Sequence, residues 1–190
     1  MSLGHATLQV MADPDGVDAI LEQWRLEWPE LDTSPIGVIG RISRLSREIE
    51  RRLEPVYAAS GLEPGWYDVL ATLRRAGPPY KLRPTDFADT LMLTSSGTTK
   101  RLDRLEAAGY ITREPDPSDR RGVLIALTPQ GSSLVDKAAV KHMANERHIL
   151  SGLTAAEQRQ LADLLRKLNL TLPPEGKDQP PSAGRGKSAT

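Results

Sequence analysis

Apolar residues recur at steps of three and four along most of the chain, which predicts a mainly helical protein. Val17, Ile20, Leu21, Trp24 and Trp28 set out a first helix over 13–28, opened by Asp13 or Asp15 and stopped by Pro29. Val38, Ile42, Leu45, Ile49, Leu53 and Val56 mark a long helix over 36–59, with arginines at 41, 44, 47, 51 and 52 on its polar surface. Pro55 should kink or shorten its last turn. That helix exceeds what a small core needs, so it should also pack against a partner chain. A break over 60–64 leads to a helix over 66–75, with Trp66, Val69, Leu70 and Leu73 inward. Past Thr128 a weaker amphipathic helix runs from about 129 to 150. Thr154 and Glu157 then form a capping box that starts a last helix with leucines at 161, 164, 165 and 168.

The middle of the chain breaks this monotony. A short helix is predicted over 84–91, with proline at its start. Thr94, Ser95 and Ser96 offer an N-cap for a second helix that ends at Gly109. Leu102, Leu105 and Ala108 make its apolar stripe narrow, and the other face carries Ser96, Thr98, Thr99, Lys100 and Arg104. Small hydroxyls at a helix start with cations further along suit a helix laid into the major groove of double-stranded DNA. Tyr110–Thr112 and Val123–Leu127 read as two short strands, joined by the proline-broken charged tip EPDPSDRRG. In the tip, Asp119 would hold one arginine while the other, Arg120 or Arg121, reaches a phosphate or the minor groove; Arg121 is placed outward. A helix pair followed by such a hairpin is a winged helix-turn-helix. The fold class is therefore mainly α with a small β wing, flanked by N- and C-terminal dimerisation helices. A two-fold dimer sets two reading helices about one DNA turn apart.

Composition refines this picture. The chain of 190 residues has room for one domain, placed at 13–170, with the DNA-binding lobe at about 62–128. A loose segment over 1–12 precedes it, and a tail over 171–190, rich in Pro, Gly, Lys and Ser, is expected to be disordered. The charge balance is 25 basic against 25 acidic residues, which disfavours non-specific coating of nucleic acid. The balance is uneven, however: residues 1–32 hold seven acids and one arginine, leaving the rest of the chain at +6. With no cysteine, disulfides, thiolate nucleophiles and thiol redox sensing are excluded. No run approaches the roughly 20 apolar residues of a membrane span, and the first residues lack a signal-peptide pattern, so the cytoplasm is the expected compartment. His142 and His148 read as solvated helix positions with no carboxylate to complete a metal site, and the sequence calls for no cofactor. No nucleophile elbow, HExxH or phosphate-loop fingerprint is present, which argues against an enzyme.

The segment DPSDRRGVLIALTPQG over 116–131, following RLDRLEAAGYITR, resembles the MarR family of bacterial transcriptional regulators. The resemblance covers about 36–170. It implies a homodimer whose winged lobes bind a pseudo-palindromic operator as a repressor, released by a small anionic or phenolic ligand. QWRLEWPELDTSPIGVIGRISRL at the N-terminal side is similar to the branch that carries an extra N-terminal helix and responds to urate or related small anions. By motif, that branch's ligand residues fall on Trp24, Asp68 and Arg101, with Arg41 as a fourth member. Arg101 would supply charge for the anion and Trp24 a flat wall, while Asp68 would respond to the ligand's charge. The resemblance leaves Ser95, Ser96, Thr98, Thr99, Lys100, Arg104, Arg120 and Arg121 to meet DNA. Two alternatives stand beside this reading: a winged helix regulator with no metabolite ligand at Trp24, Asp68 and Arg101, and a helical interaction module that binds no DNA.

Overall fold

A computed structural model of the chain describes residues 13–90 and 97–172, the side chains of 88–90 and 120 excepted. The chain divides into two units, one ending at Asn145 and the other beginning at Glu146.

The first unit opens with α1, Gly16–Glu27. Asp15 caps it: its carboxylate accepts the Val17 and Asp18 backbone N–H, and Asp18 accepts the N–H of Asp15 in return. Val17 is the buried residue of α1. It packs on α2, Ser34–Ala58, at Gly40, where an added Cβ would lie 3.4 Å from Val17 Cγ1; Leu21 approaches Gly37 one turn earlier. Two glycines three apart thus open the groove that seats α1. Pro55 does not end α2, which continues to Ala58, and the Ala59 N–H donates to the Pro55 carbonyl. No residue of α2 is buried, and Val38, Ile39 and Leu45 are half exposed or more.

The core lies further on. Helix α3, Trp66–Arg75, buries Trp66, Val69, Leu70 and Leu73. They pack with Phe87 of α4 (Pro84–Thr90), Leu102 and Leu105 of α5 (Thr98–Ala107), and Ile111 and Ile125 of the sheet. Phe87 is the chain's single phenylalanine, and it is fully buried. The sheet has three antiparallel strands, β1 (Lys81–Leu82), β2 (Ile111–Asp116) and β3 (Asp119–Leu127), in the order β1-β3-β2. Ile111 pairs with Leu127 and Arg113 with Ile125, which sends Ile111 and Ile125 to the core.

Three features of the sheet and α5 depart from the sequence reading. β1 was not expected; two residues are too few for an alternation to show. The hairpin is longer than the apolar runs imply, since the segment read as a charged tip extends both strands and leaves only residues 117 and 118 between them. Pro115 is tolerated because β2 lies at the sheet edge, where a missing ladder donor costs little. Helix α5 begins behind Gly97, at φ 83°, a left-handed turn that glycine adopts without strain. The serines and threonine assigned as its cap, 94–96, lie outside the described residues.

Helix α6, Pro129–Ile149, starts at a tight junction. The Thr128 hydroxyl accepts the Gly131 N–H at 3.0 Å and lies 2.9 Å from the Gly109 carbonyl, to which it donates. Its inward residues Val135 and Ala138 complete the core. His142, expected in solvent, is buried: its Nδ1 lies 3.2 Å from the Tyr57 hydroxyl, and its ring packs on Tyr57 and Tyr67. The second unit holds the end of α6, a 3-10 turn at Leu150–Gly152, and α7, Ala155–Thr171. The expected capping box forms there between Thr154 and Glu157. Leu161, Leu164, Leu165 and Leu170 are all exposed on the single chain.

Candidate nucleic-acid interface

At about 100° per residue, Thr99, Asp103, Lys100, Arg104 and Arg101 follow one another around α5, with Leu102 and Leu105 opposite, in the core. Thr99 and Lys100 are exposed and Thr98 is partly covered. Arg104 is exposed too, but its guanidinium lies 2.7 Å from the Glu63 carboxylate in the loop before α3. Arg101, half-buried at the edge of the core side, turns onto that same loop. A Cβ on Gly65 would sit 2.6 Å from Arg101 Nε, so the side chain occupies the space that glycine leaves. Gly65 is also the N-cap of α3 at φ 78°, which independently favours glycine. Arg101 therefore meets the start of α3, the helix whose first turn carries Asp68.

The acids of α5 are neutralised from the wing. Arg113 on β2 reaches Asp103 at 2.6 Å and also bonds Glu106. This fastens β2 to α5 and neutralises negative charge beside Lys100. Sequence spacing gave no sign of it, because the partners face each other across the turn at Gly109.

At the wing tip, Asp116 is the organising group. Its side chain is 3% exposed and accepts three hydrogen bonds, from the Ser118 N–H (2.8 Å), the Ser118 hydroxyl (2.7 Å) and Arg83 Nε (2.7 Å). These bonds, the two from Ser118 first, hold its carboxyl well below the usual range, at about 2. Asp119 accepts the backbone N–H of Arg121 at 2.9 Å, and Arg121 is exposed. The side chain of Arg120, and Ser95 and Ser96, lie outside the described residues. Because the Asp116 pKa is lowered on folding, its contribution to stability is present above about pH 4 and is lost as pH falls towards 2. Denaturant midpoints of wild type and Asp116→Asn should differ by a constant amount from pH 8 to 5. They should converge only below about pH 4; convergence already at pH 6 would contradict this assignment.

The remaining expected ligand residues are spread over the first two helices. Trp24 is 40% exposed on α1. Arg41, on α2, has its guanidinium on Asp15 at 2.9 Å and Asp18 at 2.7 Å, which clamps the start of α1. Among the described residues no group of His, Asp and Glu is arranged to hold a metal, and no helix is long and apolar enough to cross a membrane.

The model of the MarR family matches residues 60–122, the span from the Glu63 loop through α5 to the wing. The HTH-type transcriptional regulator PecS of Dickeya dadantii is 43% identical over 152 residues, covering 80% of this chain and 92% of that protein. Among solved structures, the MarR family regulator Sco3205 of Streptomyces coelicolor, in complex with DNA, superposes with a TM-score of 0.67. It is 26% identical and covers 78% of this chain and 94% of its own. BpsR of Bordetella bronchiseptica, whose DNA binding is regulated by 6-hydroxynicotinic acid, gives a TM-score of 0.63 at 26% identity, over 70% of this chain and 92% of its own. These relatives are regulators of transcription rather than enzymes. With the helix pair, the three-stranded wing and this likeness together, the chain belongs to the MarR family of DNA-binding transcriptional regulators.

Proposed function

We propose that the chain is a homodimeric repressor that reads a pseudo-palindromic operator and is released from it by a small anionic or phenolic effector, urate-like in size and charge. The observation that carries the effector half is Arg101. It turns away from Thr99 and Lys100 onto Gly65, at the start of the helix that bears Asp68. A cation placed between a reading helix and its neighbour is well sited to accept a carboxylate or enolate and to move the reading helix as it does so. Trp24 would supply the flat wall. Arg41 would contribute by holding α1, and hence Trp24, through Asp15 and Asp18. BpsR, regulated by a heteroaromatic acid, shows this ligand class acting on a protein of the same fold.

In the DNA half, Ser95, Ser96, Thr98, Thr99, Lys100 and Arg104 would enter the major groove, and Arg120 and Arg121 would contact the backbone or the minor groove. Dimerisation would cover the apolar residues that a single chain leaves exposed on α2 and, separately, on α7, where Leu164 is 58% and Leu170 79% exposed. Acting on DNA, the protein would work in the cytoplasm. Gel retardation on the chain's own upstream DNA tests the reading. The expected complex has the mass of two chains and weakens steeply with salt, and each of Lys100→Ala and Arg121→Ala lowers the slope of log K against log salt by about one. Urate, xanthine and salicylate are then added to the same complex. Failure to retard any fragment of that region would refute the DNA half, and retention of the complex in all three effectors would refute the effector half.

A further inference from the structure

The loop before α3 grips the reading helix at two points, Arg101 over Gly65 and Arg104 on Glu63. Glu63 is not an ordinary mobile surface acid. Leu62 beside it is 4% exposed in the core, its own carbonyl accepts the Trp66 N–H at 3.0 Å, and Pro64 follows. The backbone that carries the carboxylate is therefore fixed, and its side chain is 38% exposed, at the border of the helix face assigned to DNA. Arg104 lies one helical turn from Lys100, so both cations border the same strip of surface.

We infer that Glu63 is an affinity-setting residue for DNA: its carboxylate occupies Arg104 in the free protein, where a DNA phosphate would otherwise bind, and must be displaced for the complex to form. The inference rests on the assignment of α5 to DNA. Its physical basis is competition between two oxyanions for one guanidinium, which bonds a carboxylate and a phosphate with the same planar fork. Such a contact lowers affinity for every sequence. It therefore restrains non-specific association as well as operator binding, in a chain whose net charge is already zero.

The test is a double-mutant cycle on the full chain, with a duplex of its own upstream region and a mixed-sequence duplex as probes. Glu63→Gln keeps size and hydrogen bonding but removes the charge, and should tighten binding to both duplexes by roughly 1.5- to fivefold, the range of a half-exposed ion pair. Arg104→Gln should weaken binding and lower the salt slope by about one. In the Arg104→Gln background the Glu63→Gln effect should vanish. Unaltered or weaker binding by Glu63→Gln, alongside a weakened Arg104→Gln, would overturn the competition and leave the assignment of α5 standing. A tightening that persists without Arg104 would also overturn it, as a general loss of negative charge. If Arg104→Gln binds as wild type does, Arg104 is not a DNA contact and the inference falls with it. Glu63→Asp, with the charge set back by one methylene, should restore part of the restraint, which a purely structural role for the side chain would not predict.

Discussion

Replacing Gly131 with alanine should destabilise the protein by about 1–3 kcal/mol, the typical cost of forcing one extra carbon into closed packing. The added Cβ would lie 2.1 Å from the carbonyl oxygen of Tyr110 and 2.9 Å from Leu127 Cδ1. The first of these neighbours is backbone, held by the Thr128 N–H that it accepts at 3.1 Å, and cannot swing aside as a side-chain end could. Relief requires moving the start of α6 away from the turn between α5 and β2, which loosens the core contacts of Val135 and Ala138. Denaturant midpoints measure the effect. Gly152→Ala is the internal control, since nothing lies within 4 Å of a Cβ there and it should be nearly silent. Equal midpoints for the two variants would show that the α6 junction is slack.

Arg101→Ala should abolish effector release while leaving operator affinity within a few-fold of wild type. Truncating one partner of a charge-assisted contact typically costs about 2–5 kcal/mol, which is at least about 30-fold in effector affinity. The small effect on DNA follows from direction: Arg101 leaves the Thr99–Lys100 side of α5 and lies on Gly65. Effector titrations of the retarded complex read the first quantity and direct DNA titrations the second. The opposite pattern, lost DNA affinity with a normal response to effector, would return Arg101 to the DNA face.

The helices were legible because each rests on local rules that a sequence prints. Thr154 with Glu157 caps α7 as its spacing requires, and Asp15, one of the two acids expected at the start of α1, caps that helix. The apolar steps placed α3 and α5 to within a few residues. The Leu-Thr-Pro-x-Gly run at the start of α6 also has a local cause, a hydroxyl cap, a proline in the first turn and a glycine against a carbonyl. What could not be read depends on partners far apart in the chain. β1 exists only because β3 gives it a partner at Ala126 and Ile125. Arg113 is spent on Asp103 and Glu106, Arg83 on Asp116, and Arg104 on Glu63, pairings that no periodicity announces. His142 looked solvated because its own helix is only weakly amphipathic; Tyr57 and Tyr67 cover it from two other helices. For the proposed effector residues the sequence supplied residue types, while the position of Arg101 against Gly65 emerged only from the packing.

The seating of α1 gives the molecule an optical consequence. Its first half is fixed by Val17 at Gly40 and by Arg41 on Asp15 and Asp18, whereas its end carries Trp24, followed by Trp28, 40% and 54% exposed. The third tryptophan, Trp66, is 7% exposed in the core. Two indoles thus stand in contact with solvent on one helix end, against a single shielded emitter. Two of the three indoles therefore report on the tip of α1, so an aromatic molecule that stacks on Trp24 should change the intrinsic fluorescence without any label.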